Sequence, residues 1–317
     1  MAEPMVLGHD DLAAELYWRR KYGRSGVLAA RLEEYRAAGV GAVVSSVFVQ
    51  PELLPEQGLR AALGEIDALE EELALCGGGA RLVRTAAALD AALADGALAV
   101  VLSLEGAEPL GADAALLRVF HRLGVSILGL TWNGRNAAAD GCAGPAGLTA
   151  FGRALLDEAA SLGMALDVSH LNDAGFSEAL GRFPGPVLAS HSNCRALTAH
   201  PRNLTDAQIA ALAARDGVIG LNQIRFLAAL PGSRGTADDL RAHLGRLLAL
   251  AGPEHVGLGP DFARRYTESV PKPRAFWESY GEEDVLPGYA ALAAFADGAP
   301  PGVRGGNFLR FLRRALP

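Results

Sequence analysis

Six residues able to hold or move charge stand directly after short apolar runs of this chain. They are His9 and Asp11 in GHDDL, Glu105 in SLEG, His170 in DVSH, His191 in ASHS and Asp261 in GPDF. Three of only seven histidines take part; His121, His200, His243 and His255 fall elsewhere. One such imidazole or carboxylate alone is more often a satisfied polar residue. Several carboxylates at one face are a different matter, because they repel and raise one another's pKa. A divalent cation cancels that repulsion, and imidazole together with carboxylate suits Zn²⁺. Within His9-Asp10-Asp11, strand alternation sends His9 and Asp11 to one side and Asp10 to the other, so His9 and Asp11 are the expected pair.

Elements able to bring these groups together recur along the chain. Apolar runs lie at Met5–Gly8, Ala42–Val49, Leu98–Leu104, Val125–Thr131, Met164–Val168, Val187–Ser190, Val218–Leu221 and Val256–Gly259. Continuous rather than alternating apolar runs suit strands covered on both faces of a parallel sheet. Segments of helical character separate them: Gly26–Ala38, Leu59–Leu75, Ala112–Leu123, Thr149–Leu162, Asn172–Arg182, Thr205–Arg215 and Thr236–Ala251. Thr205 with Gln208 three residues on has the form of a capping box. Strand alternating with helix eight times is the arithmetic of a (β/α)8 TIM barrel, with a doubly wound sheet as the rival. In a barrel the six chemical residues share the C-terminal face, where strands end. Pro231–Gly235 and Arg264–Pro287 read as loops, the second carrying Tyr266, Phe276, Trp277 and Tyr280 as a lid or subunit contact.

The lysines then choose between kinds of metal centre. Some barrel hydrolases bridge two metals with a carboxylated lysine at a strand end, but Lys21 and Lys272 are the only lysines and neither sits at one. Glu105, whose two oxygens can each take a metal, is the natural bridge. His170 and His191, one βα unit apart, would complete a second shell.

Composition narrows the remaining classes. At 317 residues, half of them hydrophobic, the chain can bury a large core and is neither disordered nor fibrous. We expect a single barrel domain over 1–317. Lys plus Arg number 29 against 36 Asp plus Glu, a net charge of −7, with no basic block for phosphate neutralisation, so no nucleic-acid partner is expected. Cys76, Cys142 and Cys194 form no CxxC pair and signal neither disulfides nor a thiolate zinc site. No apolar run approaches a membrane span, and MAEPMVLGHDDL lacks the features of a secretory signal. The expected location is the cytoplasm.

These motifs resemble the membrane (renal) dipeptidase family of zinc peptidases, family M19, in its bacterial-type form. GHDDL is similar to the family's DGHNDL, and LSLEGAEPL to its EG segment. LTWNGRN, GLTAFGRALLDEAASLGMALDVSH, PVLASHSNCRAL, HPRN, GLGPDF and GGNFLR follow in the family's order. The resemblance implies a metal-dependent barrel hydrolase with two Zn²⁺ per chain. One zinc would be held by His9, Asp11 and Glu105, the other by Glu105, His170 and His191, with a hydroxide between them. Arg202 matches the arginine that binds a dipeptide's C-terminal carboxylate, and Asp261 the acid/base beside the metals. Trp132 stands where mammalian members carry a histidine that supports the substrate carbonyl, and belongs to the implied substrate pocket. Leu7 replaces an acid, and GPDFA lacks the second Asp of the family's DFDG. Members usually pair, so a homodimer is implied. The alternatives are a related binuclear-zinc hydrolase of another small amide, lactam or lactone, and a catalytically silent homologue, against which the intact ligand set speaks.

Overall fold

All eight apolar runs become strands of one closed barrel. A computed structural model describes residues 3–270 and 284–317. Its strands are β1 (Met5–Asp10), β2 (Val40–Val47), β3 (Ala80–Leu82), β4 (Leu98–Glu105), β5 (Val125–Gly129), β6 (Ala165–Asp167), β7 (Val187–Ala189), β8 (Val218–Leu221) and β9 (Val256–Leu258). Neighbours follow the order β2, β1, β9, β8, β7, β6, β5, β4, and a β2–β4 ladder closes the ring. The strand pairings are parallel, as a chain of right-handed βα crossovers requires. The short β3 was not expected; it pairs only with the beginning of β4, at Ala80–Leu82 against Leu98–Val100, outside the ring of eight.

The helices are α1 (Leu12–Lys21), α2 (Val27–Ala38), α3 (Gly58–Leu75), α4 (Ala86–Ala94), α5 (Ala115–Arg122), α6 (Ala150–Ser161), α7 (Asp173–Arg182), α8 (Asp206–Ala214), α9 (Arg225–Ala228), α10 (Ala237–Ala251), α11 (Ala263–Thr267), α12 (Tyr289–Ala296) and α13 (Gly306–Ala315). Thr205 and Gln208 do form the capping box: Gln208 N–H donates to Thr205 Oγ1 and Thr205 N–H to Gln208 Oε1. The segment expected to be a loop from Arg264 onward instead begins within α11, whose own Tyr266 is buried. Phe276, Trp277 and Tyr280 lie outside the described residues.

Alternation along the strands builds two apolar layers. Val6, Ala42, Val44, Ala99, Val101, Ile127, Ala165, Leu188 and Val218 fill the barrel, together with Phe308, Phe311 and Leu312 from α13. Their neighbours Leu7, Val43, Val100, Leu128 and Leu166 face outward and pack on helical leucines such as Leu32, Leu69 and Leu156. Phe308 needs two glycines. A Cβ on Gly8 or Gly257 would lie 2.1 or 2.4 Å from its ring, so no side chain fits at either position.

Candidate metal centre

The barrel mouth collects all six residues. β1 slips one residue against β2 between Leu7 and Asp10, which turns His9 and Asp11 to the interior while Asp10 faces the helices. Glu105 is the last residue of β4. His170 and Asp261 follow β6 and β9 in the left-handed region, at φ 69° and 56°. Non-glycine residues rarely sit there, and such strain is held where packing enforces it.

Glu105 is at the centre. Its Oε2 lies 3.4 Å from His9 Nε2, while Oε1 lies 3.0 Å from His170 Nε2 and 3.6 Å from His191 Nε2. His9 Nε2 is also 3.5 Å from Asp11 Oδ1 and 3.8 Å from Asp261 Oδ1. Thus one carboxylate turns its two oxygens to different imidazoles, Oε2 to His9 and Oε1 to His170 and His191. Among the described residues His9 belongs to two groups of converging donor atoms, one with Glu105 and His191 and one with Asp11 and Asp261. Asp261 therefore stands closer to the first ligand set than the resemblance alone implied.

Hydrogen bonds fix the outer edge of four of these candidate ligands. Ser46 donates to Asp11 Oδ1 at 2.6 Å, and Asn222 Nδ2 donates to Asp261 Oδ2 at 3.1 Å. His170 Nδ1 is 2.9 Å from Asn133 Oδ1, and His191 Nδ1 is 2.7 Å from Ser190 Oγ. With both Nδ1 atoms engaged, His170 and His191 turn their Nε2 atoms to each other at 2.9 Å. The buried His9 Nε2 has no hydrogen-bond partner among the described residues.

The charges are frustrated. Burial pushes Glu105 up to about 8, with His9 opposing and Asp11 and Asp261 adding to the rise. Burial likewise raises Asp261, with His9 opposing. Burial disfavours a charged His9, but Glu105, Asp11 and Asp261 outweigh it and push the imidazole up to about 10. His170 and His191 go the other way: burial holds both well below the usual histidine range. Neutral imidazoles beside crowded carboxylates, with ring nitrogens converging, are what a divalent cation would satisfy.

A cavity of about 680 Å³ opens over this cluster, lined by Asp11, Glu105, His170 and Asp261 below. Phe48, Trp132 and Tyr266 form an aromatic flank, with Phe48 5.2 Å from Trp132 and 5.8 Å from Tyr266, ring centre to ring centre. Arg202 lines the cavity from the other side. Its guanidinium is buried, Nη1 donating to Ser192 Oγ at 3.0 Å and Nη2 to the His191 carbonyl at 2.8 Å. Among the described residues no carboxylate pairs with it. Each of its two terminal nitrogens keeps a second hydrogen, so a fork of donors remains for a ligand.

The sequence did not single out Ser46, Asn133, Ser190 or Asn222, which hold these candidate ligands. Asn133 and Ser190 had a usable signal, since each neighbours a motif, in LTWN and ASHS. Ser46 and Asn222 had none, because their roles depend on how neighbouring strands align.

The family model for membrane dipeptidase (peptidase family M19) matches residues 2–272. An uncharacterised protein from the pqqA 5′ region of Klebsiella pneumoniae is 34% identical over 205 residues, covering 61% of this chain and 76% of its own length. An uncharacterised dipeptidase of Schizosaccharomyces pombe is 37% identical over 175 residues, covering 53% of this chain but only 42% of its own. Among solved structures, the family M19 metallopeptidase dipeptidase AC superposes with a TM-score of 0.83 at 26% identity, covering 100% of this chain and 99% of its own. A metallopeptidase from Rhodobacter sphaeroides, liganded with a phosphinate mimic of the dipeptide L-Ala-D-Ala, gives 0.81 at 27% identity, covering 98% and 99%. No described helix is long and apolar enough to cross a membrane. The chain is thus an enzyme of the membrane dipeptidase family, metallopeptidase family M19.

Proposed function

We propose that this chain is a zinc-dependent dipeptidase, working as one barrel domain on dipeptides with a free C-terminal carboxylate. The observation that carries the reading is Glu105, with Oε2 toward His9 and Oε1 toward His170 and His191, below a cavity that holds the guanidinium of Arg202. His9, Asp11 and Glu105 would hold one zinc; Glu105, His170 and His191 the other. The unpartnered His9 Nε2 and the facing Nε2 atoms of His170 and His191 support that fit. When bound, two zinc ions supply a hydroxide nucleophile near neutral pH and a Lewis acid for the scissile carbonyl.

The chain's own groups do the rest. Asp261 has Oδ2 tied to Asn222, which leaves Oδ1, on the His9 side, to accept a proton and return it to the departing amine. Arg202 meets the substrate's carboxylate through its remaining fork of donors, which restricts cleavage to short substrates ending there. Trp132 and Phe48 wall the cavity and exclude water from one flank. The dipeptide mimic bound by the Rhodobacter sphaeroides relative supports the substrate class. Homodimer formation and a cytoplasmic location belong to the same proposal, the first on the family resemblance.

Trp132 in place of the mammalian histidine favours one second reading, a hydrolase of another small amide, lactam or lactone. Zinc-replete protein assayed on dipeptides, lactams and lactones separates the two. Zinc-dependent release of free amino acids from dipeptides is expected. Turnover of lactams or lactones alone would transfer the assignment to the second reading, and turnover of none would remove both.

A further inference from the structure

We propose that Asp167 and Ser190 form a one-way hydrogen-bond relay that fixes the tautomer of His191 and so keeps its Nε2 lone pair aimed into the centre. This positioning role rests on the reading of His191 as a metal ligand. All three residues are buried at the ends of β6 and β7. Asp167 Oδ1 accepts two backbone N–H groups, of Ser169 at 2.9 Å and Ser190 at 3.0 Å. Its Oδ2 accepts the Ser190 hydroxyl, and Ser190 Oγ lies 2.7 Å from His191 Nδ1.

Donor and acceptor chemistry gives the chain a direction. An ionised carboxylate can only accept, so the Ser190 proton points to Asp167. The Ser190 oxygen has then spent its hydrogen and can only accept from His191. Nδ1 must carry the imidazole proton, and Nε2 must present a lone pair toward Glu105 and His170. A carboxylate acting on a ligand's far nitrogen also strengthens the ligand as a donor. The Ser169 hydroxyl, 3.4 Å from Ser190 Oγ, adds a further donor to that oxygen.

His170 is held differently. Its Nδ1 faces Asn133, a neutral amide whose oxygen also takes the Cys142 thiol at 3.2 Å. An amide offers a donor or an acceptor according to its orientation, so nothing there is one-way. The two imidazoles that face each other are therefore unequal, and only His191 is locked by a charge.

Asp167→Asn reverses the logic without changing shape, since its amide nitrogen can donate to Ser190 and free the serine proton for His191 Nδ1. Ser190→Ala breaks the relay yet keeps both backbone bonds to Asp167, so folding is not at stake. Long-range ¹H–¹⁵N spectra of histidine-labelled, metal-free protein read the tautomer directly. Wild type should carry the proton of His191 on Nδ1, Asp167→Asn on Nε2, and Ser190→Ala on a mixture. Zinc competition against a chelator should show one ion bound about 10–100-fold more weakly in both variants, and the other little changed. A wild-type Nε2–H His191, or a tautomer unmoved by both variants, would overturn the relay. A tautomer that moves while both zinc affinities stay put would instead overturn His191 as a ligand, and with it the relay's purpose.

Discussion

The hydroxyl of Tyr289 donates a 2.9 Å hydrogen bond to Asp10 Oδ2, tying α12 to the strand end that carries His9 and Asp11. Tyr35 joins from α2, its hydroxyl 3.2 Å from that of Tyr289 and 3.5 Å from Asp10. Burial raises the Asp10 carboxyl to about 6, with Arg31 and the Tyr289 bond opposing. Arg31 is itself paired with Glu15 at 2.6 Å in the same layer. Anchoring Asp10 among the helices holds its neighbours His9 and Asp11 toward the cavity. The geometry of the candidate metal centre therefore depends on packing outside the barrel.

Tyr289→Phe leaves the ring in place and removes only the donor. A bond to a charged buried acceptor contributes about 1.5–3 kcal/mol, and urea unfolding should register a loss of that order. Zinc retention should weaken as well, because Asp10 no longer fixes the slip in β1. Tyr35→Phe, acting from 3.5 Å, should cost less on both measures. Equal losses from the two variants would dissociate the Asp10 anchor from Tyr289.

Glu105→Gln tests the bridge. Glu105 is pushed up to about 8, so its charge is disfavoured without a cation, and a neutral isostere should leave metal-free stability nearly intact. Its metal binding should fail at both sites together, whereas His9→Ala should fail mainly at one. Plasma emission analysis of metal-replete protein gives the ratio, and added zinc should raise the melting temperature of wild type but scarcely that of Glu105→Gln. A Glu105→Gln protein that still holds two ions would exclude the bridging role.

The barrel was legible because burial on both faces leaves a mark in every strand, as in VVLSL of β4 or VIGL of β8. The candidate ligands were legible because they follow those strands directly. α1, whose sequence LAAELYWRRK mixes charge with apolar residues, and the alanine-rich α4 showed no clear helical stripe and were missed. What holds the ligands was harder to read. The contact between Tyr289 and Asp10 spans 279 residues, and that between Asn222 and Asp261 depends on β8 and β9 lying side by side. The positive φ of His170 and Asp261 is likewise a product of the surrounding mouth, not of local sequence.

Asp261→Asn should abolish turnover while sparing metal content. Asparagine tolerates the left-handed backbone that Asp261 adopts at φ 56°, so the loop can keep its shape. General acid–base help is typically worth ~10²–10⁴-fold, which sets the expected fall in kcat. Near wild-type kcat in a variant with full zinc content would take Asp261 out of the proton path.

His243 should govern part of the acid limb of stability. It is buried on α10, accepts the Cys194 N–H at Nδ1 at 3.1 Å, and faces the Ala228 carbonyl and Thr198 hydroxyl at Nε2. Burial lowers its pKa from 6.5 to about 4. Between those values the unfolded chain takes up a proton that the folded chain refuses, so this contribution is present above pH 6.5 and lost as pH falls toward 4. The slope cannot exceed about 1.4 kcal/mol per pH unit for one proton. In metal-free protein His243→Gln should be less stable than wild type at pH 7 but lose less on acidification. Parallel stability profiles for the two proteins would show that His243 titrates normally.

Arg202 offers the sharpest test of substrate class. Its guanidinium is held by Ser192 and the His191 carbonyl, so it is positioned before any ligand arrives and spends little entropy on binding. A bond from it to a substrate carboxylate should contribute roughly 1.5–3 kcal/mol, or one to two orders of magnitude in kcat/KM. Arg202→Ala should therefore cost about that much on a dipeptide, and so should amidating the dipeptide's C-terminus. The two losses should not add, because each removes the same contact. Full additivity would place the carboxylate elsewhere in the cavity. Equal turnover of acid and amide by wild type would mean that no carboxylate is read at all, which favours a hydrolase of neutral amides or lactones on the same centre.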